Sequence, residues 1–334
     1  MKNSYATASR GGFARLPKAR AGGILAGIAA AAFLTLGCAG AAHAAYNFLT
    51  IDNPADVNFN QLLGINNNLE IVGYDGDGVQ KPNKGYNLFP RDHFSSENYP
   101  DSVQTQVIGI NNIIPKAFPF AFTYTVGFWI DTHGNNHGFA NVNGEFFTVD
   151  NPNAGVSGGI KTNQLLGVND HYIGVGFYLD AKGNSHGYTY NFANEKFTPI
   201  TLPAAFGAVS VTSAGINDAD IVCGSYVDGA GNTHGFYGKP GSYVSVNAPG
   251  STGTVFFGLN NKDMLVGFET QAGVSHGLIY NSSSKVSTIV DDPKQSSQPA
   301  FNVTGTTING INDYNEIVGF YSDGEQVHGF LAAP

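Results

Sequence analysis

The sequence predicts an all-β protein, a six-bladed β-propeller of four-stranded blades whose last blade is closed by the N-terminal strand. Three observations carry that reading. A Gly-Ile-Asn mark, with Val or Leu as variants, occurs six times, at Gly64-Ile65-Asn66, Gly109-Ile110-Asn111, Gly167-Val168-Asn169, Gly215-Ile216-Asn217, Gly258-Leu259-Asn260 and Gly310-Ile311-Asn312. Its spacings of 45, 58, 48, 43 and 52 residues fit one four-stranded unit each. The two chain ends are also complementary: the last copy stops at His328-Gly329-Phe330 without a fourth strand, while Phe48 to Pro54, FLTIDNP, copies the fourth strand FFTVDNP of Phe146 to Pro152.

The unit is clearest from Val209 to Asn247. Residues there alternate with period 2, which in a strand sends successive side chains to opposite faces. Four such runs, Val209 to Ala214, Ile221 to Val227, His234 to Gly238 and Tyr243 to Asn247, are separated by Asn217-Asp218, Asp228 to Asn232 and Lys239-Pro240-Gly241. Those separators tolerate positive φ or cap their own turns, so tight antiparallel hairpins follow. We call the four strands a to d. A ring built from them must close, because an open ring leaves unpaired strand edges. Forty-four glycines, 12% charged residues and 42% hydrophobic residues fit a turn-rich β array forming one domain over residues 45–334.

Residues 1–44 differ in kind. Lys2, Arg10, Arg15, Lys18 and Arg20 precede an apolar run from Ile24 to Leu36 and an Ala42-His43-Ala44 cleavage pattern, the order of a secretory signal peptide. The run is shorter than the roughly 20 residues of a membrane span. Cleavage after Ala44 is expected, and acylation at Cys38 is the weaker alternative because Thr35 fits a lipoprotein signal poorly. Five of the 16 basic residues and none of the 25 acidic ones lie in this leader, so the remainder holds 11 basic against 25 acidic residues, a formal charge of -14. Such a surface disfavours nucleic acid and anionic membrane as partners. Cys223 is then the sole cysteine, which excludes an internal disulfide and reads as a buried thiol on an apolar strand.

The signal peptide, the repeated G-[IVL]-N-[ND] followed by I-V-G, and a His-small-aromatic mark such as His137-Gly138-Phe139, His234-Gly235-Phe236 and His328-Gly329-Phe330 together resemble the HAF-repeat family of bacterial extracellular proteins. The resemblance spans the whole mature chain and implies a secreted or surface location and a propeller-like fold. It implies no chemistry. The first copy carries Lys84-Gly85-Tyr86 instead of the histidine mark, and the fifth has Leu278 in place of the aromatic.

Repetition separates scaffold from candidate site. His137, His186, His234, His276 and His328 recur once per copy, so they lie around a circle, whereas a catalytic centre needs unlike groups on one point. They read as turn-bonding residues, through Asp131, Asp180, Asp228 or Asp323 of the preceding hairpin. Asn66, Asn111, Asn169, Asn217, Asn260 and Asn312 read likewise as turn residues satisfying local backbone.

What departs from the repeat is confined to the first two copies. Arg91, the mature chain's single arginine, with Asp92 and His93, Trp129, the single tryptophan, and His133 are therefore the ligand-binding candidates. The aromatic-rich insertion Ile113 to Thr125 stands beside them. Asp75 and Asp77 are spaced like the start of a calcium loop, but no acidic residue closes it, so calcium is the one cofactor considered and none is assigned. His133 and His137 are of metal-binding type, yet the Gly134-Asn135 turn does not set them on one face as a helix would, and no metal is assigned. The sequence thus favours an exported binding or interaction module for carbohydrate or peptide. Its rivals are a polymer hydrolase or lyase using Asp92, His93 and Glu97, and a self-associating surface protein.

Overall fold

The structure is a computed structural model that describes residues 46–89, 93–112 and 123–334. The leader with Cys38, Arg91 and Asp92, and residues 113–122 of the insertion lie outside the described residues.

Six antiparallel four-stranded blades surround one axis. The innermost strands, a, are Asn60–Ile65, Gln104–Ile110, Asn163–Val168, Ala208–Ile216, Gly253–Leu259 and Thr306–Ile311 for blades 1 to 6. In blade 4 the next three strands are Val222–Asp228, Thr233–Gly238 and Val244–Val246, within one or two residues of the alternation read above. Blade 6 is completed by the N-terminal strand Asn47–Thr50, which pairs antiparallel with Val327–Ala333 through Phe48↔Ala332 and Leu49↔Leu331. Among the described residues there is no α-helix, only a 3-10 turn at Ala204–Phe206, and none is long and apolar enough to cross a membrane.

The core sits between blades rather than within them. One cluster joins Leu62, Ile71 and Leu88 of blade 1 to Val318 and Leu331 of blade 6, and another joins Val126 and Val149 of blade 2 to Leu165 and Tyr188 of blade 3. A sheet with two covered faces buries apolar residues on both, so each blade depends on its neighbours. Cys223 belongs to such a seam, and burial drives its thiol well above the ordinary range.

The Gly-Ile-Asn glycines form the waist of the channel. A Cβ at Gly64 would fall 3.3 Å from Gly109 Cα, one at Gly109 2.9 Å from Gly167 Cα, and the series continues through Gly215, Gly258 and Gly310 back to Gly64. No larger residue fits where six backbones meet at that distance. Just before each glycine the a strand carries a bulge, placing one extra residue against strand b at Leu63, Ile108, Leu166, Ala214, Phe257 and Asn309. Bulges re-aim side chains, and these point toward the axis.

Below the waist, the residues after each glycine make a closed belt. The backbone N–H of Asn67 donates to Asn112 Oδ1 (2.7 Å), Asn112 to Asp170 (2.7 Å), Asp170 to Asp218 (2.9 Å), Asp218 to Asn261 (3.0 Å), Asn261 to Asp313 (2.8 Å) and Asp313 to Asn67 (2.8 Å). Inside it, Asn66, Asn169, Asn217, Asn260 and Asn312 each donate Nδ2 to the carbonyl of the next blade's asparagine. Asn111 Nδ2 is buried without a partner. The same asparagines cap their own turns: Asn312 Oδ1 accepts from Tyr314 N and Glu316 N, both at 3.0 Å. That offsets the positive φ of Leu69, Tyr172, Asp220, Asp263 and Asn315, the fourth residues of those turns.

Candidate functional site, a funnel above the glycine waist

Above the waist the channel opens into a cavity of about 740 Å³, within the range of small-molecule sites. Three positions per blade build the wall in blades 1 to 4, and a partial set with Phe256 builds it in blades 5 and 6: the residue three before the glycine of strand a, the bulge residue, and the residue after the Val-Gly or Cys-Gly pair of strand b. In blades 1 to 3 these are Gln61, Leu63 and Tyr74, then Gln106, Ile108 and Phe128, then Gln164, Leu166 and Phe177. In blade 4 they are Thr212, Ala214 and Ser225, the smallest set in the ring. Blade 5 contributes Val255, Phe256 and Phe257, and blade 6 Asn309 and Phe320. The rim is made by Asp77, Val79, Gln80 and Asn83 from the hairpin of blade 1 and by Phe301, Asn302 and Val303 from the connection into blade 6.

The wall is aromatic and amide-rich and nearly free of charge. Among the described residues lining it, Asp77 is the single acid and no basic residue occurs. Asp77 Oδ1 already accepts from the backbone N–H groups of Val79, Gln80 and Lys81; burial opposes its ionisation, but those bonds win and hold the carboxyl below its usual range. It is a turn cap. Tyr74 donates to Gln61 Oε1 at 2.8 Å, and burial pushes its phenol well up, so it stays a neutral donor. Gln164 Nε2 donates to Asn136 Oδ1 at 3.2 Å, while among the described residues no side chain bonds the Gln106 amide, which lines the cavity. Two carbonyl oxygens in the wall, Asn83 Oδ1 and Asn309 Oδ1, are buried with no donor, and Asn83 as a whole is 2% exposed. An unpaired buried carbonyl costs about 1–3 kcal/mol, and both oxygens lie behind the cavity surface rather than open to it.

The residues singled out for rarity lie elsewhere. His93 is exposed in the connection between strands c and d of blade 1, beside Leu88, which pairs with Ile71 at the belt end. It is therefore on the opposite face from the funnel. Trp129 lies on strand b of blade 2 with both indole faces covered, by Tyr99 at 4.4 Å and His137 at 4.4 Å. His133 is largely exposed in the following hairpin, 3.8 Å from Asp131. The described residues among these do not converge. Among the described residues no group of three metal-ligating side chains is assembled. Glu97 is buried in the seam between blades 1 and 2, accepting from Thr125 and Asn141; burial pushes its carboxyl up, against the pull of those two donors.

The repeated histidines form bonds at the funnel face, outside the cavity. His137 lies between Asp150 (2.6 Å) and Asp131 (3.4 Å), and His328 between Asp52 (2.7 Å) and Asp323 (3.2 Å). His186 meets Asp180 at 2.9 Å, His234 meets Asp228 at 3.1 Å, and His276 meets Asp291 at 2.7 Å.

No family model matches the chain, and no curated protein does. Solved structures of similar chain path include the fucose-recognising, six-bladed lectin of Aleuria aurantia, 9% identical over 78% of this chain and 86% of its own, with a TM-score of 0.47. Oligogalacturonate lyase of Vibrio parahaemolyticus is 11% identical over 86% and 96% of the two chains (TM-score 0.45), and TolB of Acinetobacter baumannii is 10% identical over 79% and 63% (TM-score 0.45). These are likenesses of fold, and the ligands are those proteins' own. The chain is a six-bladed β-propeller whose described residues enclose a cavity above the waist.

Proposed function

We propose that this propeller is an exported binding module of HAF-repeat type that takes an uncharged ligand, carbohydrate or peptide, in the funnel. The observation that carries the reading is the wall itself: aromatic rings beside the amides of Gln61, Gln106 and Gln164, with no basic residue and Asp77 as the single carboxylate among the described lining. Aromatic faces supply apolar area, and a few placed polar groups fix orientation. A catalytic role would need acid and base groups within reach of a bound molecule, and what the wall offers instead is hydrogen bonding. The acidic surface and signal-peptide pattern support a place outside the cytoplasm for such a module.

The test uses residues 45–334 screened by thermal shift against uncharged oligosaccharides and peptides. A ligand at 100 times its Kd adds about 2.7 kcal/mol of stability. Gln106→Leu is the diagnostic variant: removing an unpaired amide leaves stability equal or slightly higher, yet weakens binding about tenfold. His93→Ala leaves binding intact. Binding indifferent to Gln106→Leu and abolished by His93→Ala would move the site to the other face and overturn the reading.

A further inference from the structure

We propose that the funnel is a blind pit for the uncharged terminal ring of a glycan, seated in a recess that blade 4 leaves in the wall; the inference rests on the binding reading above and narrows its ligand class. Three observations combine. The pit has a floor: the residues lining the funnel stop at the bulges, those lining the small lower cavity begin just past the glycines, and the six-glycine waist lies between. A ligand therefore enters by one end and does not thread through.

The ends of the two ligand classes differ in charge. A free peptide C-terminus brings a carboxylate into a wall with no basic residue among its described lining, and burying an unpaired ion is strongly unfavourable; the single charge there, Asp77, lies on the rim as a turn cap. The non-reducing end of a neutral glycan brings only hydroxyls, each both donor and acceptor. That suits the Gln106 amide, which lines the cavity and presents both functions.

The wall is also lopsided. The residue after the Gly of strand b that lines the cavity is Tyr74, Phe128, Phe177 and Phe320 in blades 1, 2, 3 and 6 and Ser225 in blade 4, with Phe268 at that position of blade 5 outside the lining, while the blade 4 bulge residue is Ala214 against Leu, Ile, Leu, Phe and Asn elsewhere. Both truncations fall in the same blade, across the ring from blade 1 and its amides. Thr212, Ala214 and Ser225 all line the cavity, so this side of the wall carries the least side-chain bulk.

Because blade 4 differs from its neighbours by truncation, the repeat itself supplies the test. Ser225→Phe restores the residue of four other blades and fills the recess without a foreign side chain; Ala214→Leu does so from the floor, as in blades 1 and 3. Binding is measured by calorimetry and saturation-transfer NMR for the methyl glycosides of the neutral aldohexoses, for uncharged tetrapeptides with free ends, and for the same peptides acetylated and amidated. The expected result is that a neutral glycoside binds, both peptide forms fail, and Ser225→Phe weakens the glycoside at least about tenfold at unchanged thermal stability while His93→Ala does not. Should Ser225→Phe fold poorly, Ala214→Leu is read in its place. Binding of either peptide form overturns the glycan assignment, as does a glycoside that ignores both filling variants, or no glycoside binding at millimolar concentration. If peptides bind and Gln106→Leu weakens them, the glycan inference has failed while the binding reading stands.

Discussion

At the belt end of the channel every blade presents the same pair, asparagine followed by Asn or Asp, and at the funnel end no two blades present the same three residues. The two ends use the same strands, a few residues apart. The belt spends its repetition on closure: six blades each donate to the next, and the circle is complete only if the same chemistry recurs six times. A ligand has no such symmetry, so a site must break it. Position in the repeat, rather than residue chemistry, therefore separates frame from site here. Histidine and aspartate, the usual marks of reactivity, belong to the frame; glutamine, phenylalanine and a missing side chain mark the proposed site.

The largest expected effect tests the waist. Gly167→Val puts a Cβ 2.7 Å from Ala214 O and 3.4 Å from Gly215 Cα, contacts between backbones that have no room to retreat. We expect a loss of about 3 kcal/mol in urea unfolding, against less than about 0.5 kcal/mol for Ser225→Ala in the funnel. Equal losses would mean that the two ends are not different kinds of structure.

A finer test lies within the belt. Asn312 caps its turn twice through Oδ1 and donates from Nδ2 to Asn66 O (3.3 Å) and Glu316 (2.7 Å), whereas Asn111 Oδ1 accepts from Tyr124 N and its Nδ2 is idle. Asn312→Ala should cost about 2 kcal/mol and Asn111→Ala about 1 kcal/mol, because the second removes fewer satisfied groups. Blade 2 is the place where an insertion interrupts the repeat, and a reversed order would detach the belt's energy from its hydrogen bonds.

The same division explains what could be read from the sequence. Blade number was legible because the waist admits only glycine and the belt needs asparagine, so physical necessity imprinted a repeat. The fourth strand of blade 6 was legible because Phe48 to Pro54 still matches Phe146 to Pro152 after separation to the far end of the chain. The funnel was not legible in the same way. Its wall is drawn from ordinary Gln, Phe, Leu and Asn residues that sit some 45 to 58 residues apart in blades 1 to 3 and meet only when the ring forms. Choosing candidates by rarity leads to Arg91 and Trp129; reading down the aligned copies at the bulge and at the residue after the Gly of strand b would have exposed Ala214 and Ser225 as the outliers.

The smallest effect concerns the histidines, which sit on the funnel face yet belong to the frame. His328 links the last hairpin to Asp52, 276 residues away, and so fastens the N-terminal strand; His137 makes the equivalent bonds inside blade 2. The hydrogen bond that His328 donates to Asp52 raises its pKa above the ordinary 6.5, with burial pulling the other way and Asp323 adding to the rise. A histidine raised in the folded state stabilises fully below its unfolded value and loses that contribution as pH climbs through the folded one. Wild type should therefore exceed His328→Asn in Tm by more at pH 6 than at pH 8.5, by a margin of about 1–2 °C. Binding in the funnel should be the same in both at either pH. A variant with a flat stability difference but altered ligand affinity would place His328 in the site, and a residue repeated around the ring would then be doing what this division reserves for the exceptions.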